Sequence, residues 1–103
     1  MEEKTNLYAE FLEKVRVGIH EVSSITGVPS RKIRYWEEKG CIESIGEGSS
    51  RQFDLFNVKK IMLIQELIED GYSLDGATRK VNERIKKLQQ MFDLVLPLDR
   101  KIE

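Results

Sequence analysis

Arg31-Lys32-Ile33-Arg34-Tyr35-Trp36-Glu37-Glu38-Lys39-Gly40 has the spacing of a short amphipathic helix closed by a glycine. Ile33 and Trp36, three apart, are its expected inward residues, and Gly40 its stop. Just upstream, Gly18-Ile19-His20-Glu21-Val22-Ser23-Ser24-Ile25-Thr26-Gly27-Val28 predicts another helix, from Gly18 to Ile25, with Ile19, Val22 and Ile25 on one face. Gly27 ends it, being able to take a positive φ, and Pro29 keeps it from continuing. Ser30 is the expected cap of the second helix. The order is therefore helix, tight turn, helix. Three cations and two aromatics, Arg31, Lys32, Arg34, Tyr35 and Trp36, crowd the opening turns of the second helix, a composition suited to a groove walled by phosphates.

Downstream, residues 42–56 read as a short β-hairpin. Ile42 and Ile45 flank one side, Gly46-Glu47-Gly48-Ser49-Ser50 makes a loose turn, and Gln52-Phe53-Asp54 returns. A wing beside a helix-turn-helix would have this Gly/Ser tip with Arg51 at its base; an ordinary solvated loop would share the composition. From Asn57, the expected cap, a helical period carries Val58, Ile61, Met62, Ile64, Leu67 and Ile68 to a stop at Gly71. Ser73 caps a last helix with Leu74, Ala77 and Val81 inward, and the period continues through Ile85, Leu88, Phe92 and Val95 to Pro97. Upstream of the motif, Leu7, Tyr8, Phe11, Leu12 and Val15 form an apolar stripe on an N-terminal helix capped by Thr5 or Asn6. A short helix is marginal alone, so this stripe needs a surface, its own domain or a second subunit. Three segments follow: a helical extension over 1–16, a winged helix-turn-helix over 17–82, and a C-terminal helix and tail over 83–103. The fold class is mainly α with a small β wing.

With 103 residues, 40% of them hydrophobic, the chain suits one small domain with an appendage. Its 34% charged content implies a small body with a large solvated surface. One cysteine, Cys41, excludes a disulfide framework within the chain, and one histidine beside it, His20, assembles no zinc-ligand spacing. No apolar run approaches about 18 residues and no signal-peptide pattern opens the chain. A reducing cytoplasmic setting, with no membrane partner, is the expectation. A net charge of −1 argues against indiscriminate coating of nucleic acid. Residues 16–60, however, hold eight Lys/Arg against six Asp/Glu, so the positive excess sits on the motif.

Taken in order, Ile19-x-Glu21-Val22, Thr26-Gly27-Val28, Ile33-Arg34-Tyr35-Trp36-Glu37-x-x-Gly40, Arg51-x-Phe53-x-x-x-x-Val58 and Ile64-x-x-Leu67-x-x-x-Gly71-x-Ser73-Leu74 resemble the DNA-binding domain of MerR-type bacterial transcription regulators. The resemblance covers residues 18–82. Within that group Arg31-x-Ile33-Arg34-Tyr35, Arg51-x-Phe53-Asp54-x-x-x-Val58 and Leu67-Ile68-Glu69-Asp70-Gly71 look most like the GlnR/TnrA branch of nitrogen-metabolism regulators. Trp36 stands where a second tyrosine is usual, Cys41 where leucine is, and Pro29 where serine often is. The resemblance implies a bacterial, nucleoid-associated homodimer on double-stranded DNA. The branch's extension before its helix-turn-helix gives Leu7, Tyr8, Phe11 and Leu12 a pairing role, with Leu88 and Phe92 as the other candidate surface. Metal-sensing members need cysteines in a C-terminal loop that this chain lacks, so no metal or other cofactor is expected.

Residue by residue, Ser30, Arg31 and Lys32 open the second helix, where side chains reach base edges. An arginine there can bind guanine O6 and N7 bidentately, worth about 1–3 kcal/mol of discrimination. Arg34 and Tyr35 match the family's backbone-anchoring pair and are expected on phosphates. Arg51 matches the wing arginine, a phosphate or minor-groove candidate, with Ser50 and Ser49 beside it; Lys59 and Lys60 are weaker phosphate candidates. Ser23 and Thr26 offer hydroxyls near the backbone. Trp36 is expected in the core rather than as a stacking platform, Cys41 as a buried small residue, and His20 on an exposed face.

The expected function is sequence-specific transcription regulation by a homodimer on an inverted repeat. An architectural protein of the phage-excisionase kind is a rival, favoured by clustered direct repeats and strong bending. Another is a protein-interaction module, in which Leu7, Phe11, Leu88 and Phe92 engage a further regulatory protein. Catalysis is not expected: Glu37-Glu38 and Glu69-Asp70 have no nucleophile, phosphate loop or second histidine to act with. Residues 83–103 leave no visible effector-binding domain, so a partner or a longer tail would carry the signal.

Overall fold

In the computed structural model, described over residues 14–95 together with Phe11 and with side chains up to Lys87, helices dominate and one small antiparallel sheet joins them. Strand β1 (Arg16–Gly18) leads into helix α1 (Ile19–Thr26), then α2 (Ser30–Glu38), strand β2 (Gln52–Asp54), α3 (Leu55–Glu69) and α4 (Leu74–Val95). The fold is a winged helix-turn-helix.

Helix α1 is the hub, packing on α2, α3 and both strands, while α3 packs against α4. Val22 of α1, Ile33 and Trp36 of α2, Phe53 of β2, Ile61 and Ile64 of α3 and Ala77 and Val81 of α4 are all buried in one cluster. Fully burying each larger side chain contributes about 1.5–3 kcal/mol. The inward pair predicted for α2 is thus borne out, as are buried Cys41 and exposed His20.

Several local expectations are corrected. Ile25 is 59% exposed. At about 100° per residue, two steps of three carry it about 120° around the helix from Ile19, and the stripe drifts into solvent. Ser30 is the first helical residue of α2 and makes no side-chain cap; Pro29 precedes it, its carbonyl accepting from Lys32 N (2.9 Å) and Ile33 N (3.0 Å). Asn57 does not cap α3, which begins two residues earlier with Asp54 as its cap, Oδ1 accepting from Asn57 N at 2.8 Å. Buried instead, Asn57 donates from Nδ2 to Asp54 Oδ1 (3.1 Å) and accepts Glu43 N at Oδ1 (2.9 Å). That bond ties the loop after α2 to the start of α3. Ser73 does cap α4, its Oγ accepting Gly76 N at 3.0 Å.

The wing differs in strand partnership. Its returning strand, β2, pairs with β1, in the register Arg16–Asp54, Val17–Phe53 and Gly18–Gln52. The outgoing side contributes only the bridge of Ile45 to Gln52, closed by Ile45 N to Gln52 O (2.7 Å) and Gln52 N to Ile45 O (2.8 Å). Ile42 lies in no strand and is buried in the core. A three-residue strand such as β1 is too short to show a period of two, so its pairing had no signature in sequence.

Candidate nucleic-acid interface

The turn between α1 and α2 is three residues, Gly27 to Pro29, and each has a mechanical part. Gly27 sits at φ +79° and donates to Ser23 O (2.8 Å). Val28 is buried and pins the turn to the core. The Thr26 hydroxyl donates to Val22 O (2.8 Å) and accepts Val28 N (3.1 Å), so it serves the turn itself. These constraints fix how α2 emerges from the body.

With Ile33 and Trp36 turned inward, the opposite face of α2 carries Arg31, Arg34 and Tyr35, at i, i+3 and i+4, in one outward stripe. All three are exposed, Tyr35 at 51%. Among the described residues no ion pair engages Arg31 or Arg34. Lys32 is exposed too, its Nζ 5.9 Å from the Trp36 ring centroid, while Ser30 is half-buried at the helix start.

Wing residues are placed differently. A 3₁₀ turn over Gly48–Ser50 forms the tip, with the Ser50 hydroxyl donating to Glu47 O at 2.8 Å. Gly46, at φ +91°, runs so close to the returning chain that a Cβ there would lie 3.1 Å from Ser50 O. Arg51 is half-buried, and its Nη1 donates to Glu37 Oε1 at 2.9 Å. The other Glu37 oxygen accepts from Ser44 Oγ. Lys59 is exposed in the first turns of α3 and Lys60 half-buried.

The structure thus gathers Arg31, Lys32, Arg34 and Tyr35 on one helix and sets Arg51 against the end of that helix through Glu37. Glu37 and Asn57 were missed as positioning residues. Glu37 had a signal: four residues after Ile33, it falls on the inward stripe, where a carboxylate needs a partner. Of the expected pairing residues, Phe11 is 53% exposed, its carbonyl accepting Val15 N at 3.2 Å. Leu7, Tyr8 and Leu12 lie outside the described residues, as do the side chains of Leu88 and Phe92. Among the described residues no helix is long and apolar enough to cross a membrane.

Comparison with known proteins places this geometry. Residues 18–84 match the family model described as MerR HTH family regulatory protein. No curated protein matches the chain.

Proposed function

The chain belongs to the MerR family of helix-turn-helix regulatory proteins, which are DNA-binding transcription regulators, and on that premise we propose that it reads a specific duplex sequence as a homodimer on an inverted repeat. The observation that carries the reading is the outward stripe Arg31, Arg34 and Tyr35 on a helix whose other face is locked in the core. Arg31 and Lys32, in the opening turn, meet base edges. Arg34 and Tyr35 hold phosphates and set register, with Ser50 and Lys59 adding contacts to the backbone. Two recognition helices would enter major grooves about 34 Å, or a multiple, apart. Pairing comes from the N-terminal stripe of Leu7, Tyr8, Phe11 and Leu12 or from α4 with Leu88 and Phe92. The likeness of Arg31-x-Ile33-Arg34-Tyr35 to the GlnR/TnrA branch supports a place near that branch.

Selection of bound sites from a random duplex pool tests specificity, with an inverted repeat expected. Arg34→Ala weakens binding to all sequences and lowers the slope of log K against log salt by about one, whereas Arg31→Ala relaxes preference at one base-pair position. Equal behaviour of the two variants contradicts these roles. Absence of duplex binding at low salt, with tight binding to a protein, replaces the reading altogether. Mass in solution of the full chain and of a chain starting at Val17 tests pairing: dimers of equal strength remove the N-terminal stripe from the interface.

A further inference from the structure

We propose that Glu37 and Arg51 form a strut that fixes the wing relative to the recognition helix, so that Arg51 serves duplex binding by positioning and not by holding a phosphate. The inference rests on the DNA-binding reading above and assigns the wing arginine a different task within it.

Four observations converge. The ion pair, at 2.9 Å, joins residues fourteen apart in the chain, with the two side chains only 27% and 21% exposed. The same Glu37 carboxylate accepts from Ser44 Oγ, so one group ties together the last turn of α2, the loop leaving it and the wing base. The Nε of Arg51 is enclosed by protein without a hydrogen-bond partner, which seats the guanidinium within the fold. Finally, the wing is short and tightly closed around Arg51. Its amide donates to Gly48 O (3.3 Å), the next residue is bridged to Ile45, and Gly46 packs on Ser50 backbone. Holding Arg51 therefore holds the whole wing.

Charge supports the same assignment. If Arg51 left Glu37 for a phosphate, the carboxylate would be left partly buried and unneutralised at the end of the helix that faces a polyanion. Removing one partner of a shielded pair leaves such an uncompensated charge. A cation kept on Glu37 cancels the repulsion and sets the wing angle at once.

The test uses the full chain and the duplex recovered by selection, or mixed-sequence duplex at low salt, with affinity measured across salt concentrations. Glu37→Gln and Arg51→Ala each weaken binding about three- to tenfold, the scale of a half-shielded pair, with the salt slope of the parent protein. The double variant is no weaker than either single one, and the exchange Glu37→Arg with Arg51→Glu recovers most of the loss. The proposal is overturned if Arg51→Ala lowers the salt slope by about one while Glu37→Gln strengthens binding, or if the two losses simply add. Backbone amide resonances of residues 44–52 provide a readout independent of DNA. Glu37→Gln shifts them if the strut exists, and unchanged resonances overturn it even where duplex binding itself fails. The isosteric Glu37→Gln keeps the test available should Arg51→Ala not fold.

Discussion

Helix α2 and the wing both carry arginines, yet they hold them in opposite ways. On α2 the helical period separates tasks by face: Ile33 and Trp36 are sunk in the core, while Arg31 and Arg34 stand in solvent. The wing has no period to divide its labour. Arg51 is half-buried, paired with Glu37, and part of what holds the loop in place. Regular structure lets outward residues vary without touching the fold; in an irregular loop the side chain itself is taken up in holding the chain in place.

That contrast is breakable, most severely at Trp36. It is 1% exposed, and Trp36→Ala should cost about 3–5 kcal/mol, read as loss of the cooperative thermal transition. A protein that melted normally would show that the inner face of α2 is not what fixes its outer face. Next in size is Asn57→Ala, which removes the acceptor for Glu43 N and a partner of Asp54. A cost of about 1–3 kcal/mol in chemical denaturation is expected, because the Glu43 amide loses its partner. Loss of less than about 0.5 kcal/mol would mean the tie between loop and α3 is dispensable. Arg31→Ala and Arg34→Ala should leave unfolding within about 0.5 kcal/mol of the parent while impairing duplex binding, the signature of a face free of structural duty. Smallest of all, Ile25→Ser should change stability by no more than about 0.5 kcal/mol, since the side chain is 59% exposed. A larger loss would restore Ile25 to the core.

The readable parts of the chain were those with repeated or local signals. Helix α2 declared its two faces through Ile33 and Trp36 on one side and Arg31 and Arg34 on the other. Gly27 announced the turn, and Ser73 the start of α4, because caps are decided by nearest neighbours. Ile25 misled because a spacing of three, taken twice, falls about 120° short of two helical turns. Asn57 misled because an amide near a helix start suits the cap and the first turn alike; only the presence of Asp54 three residues earlier, within reach of its amide, decides between them.

Local chemistry alone therefore specified the two helices of the motif, the turn between them and the identity of the outward cations, since each depends on residues within a turn or two of one another. The family is carried by such local fragments kept in order over residues 18–84. Pairing of residues 16–18 with 52–54, burial of Ile42, and the capture of Arg51 by Glu37 were decided only when distant segments met. A partner fourteen or thirty-odd residues away leaves no period in the chain, and which groups pair is settled by the shape of the packed core between them.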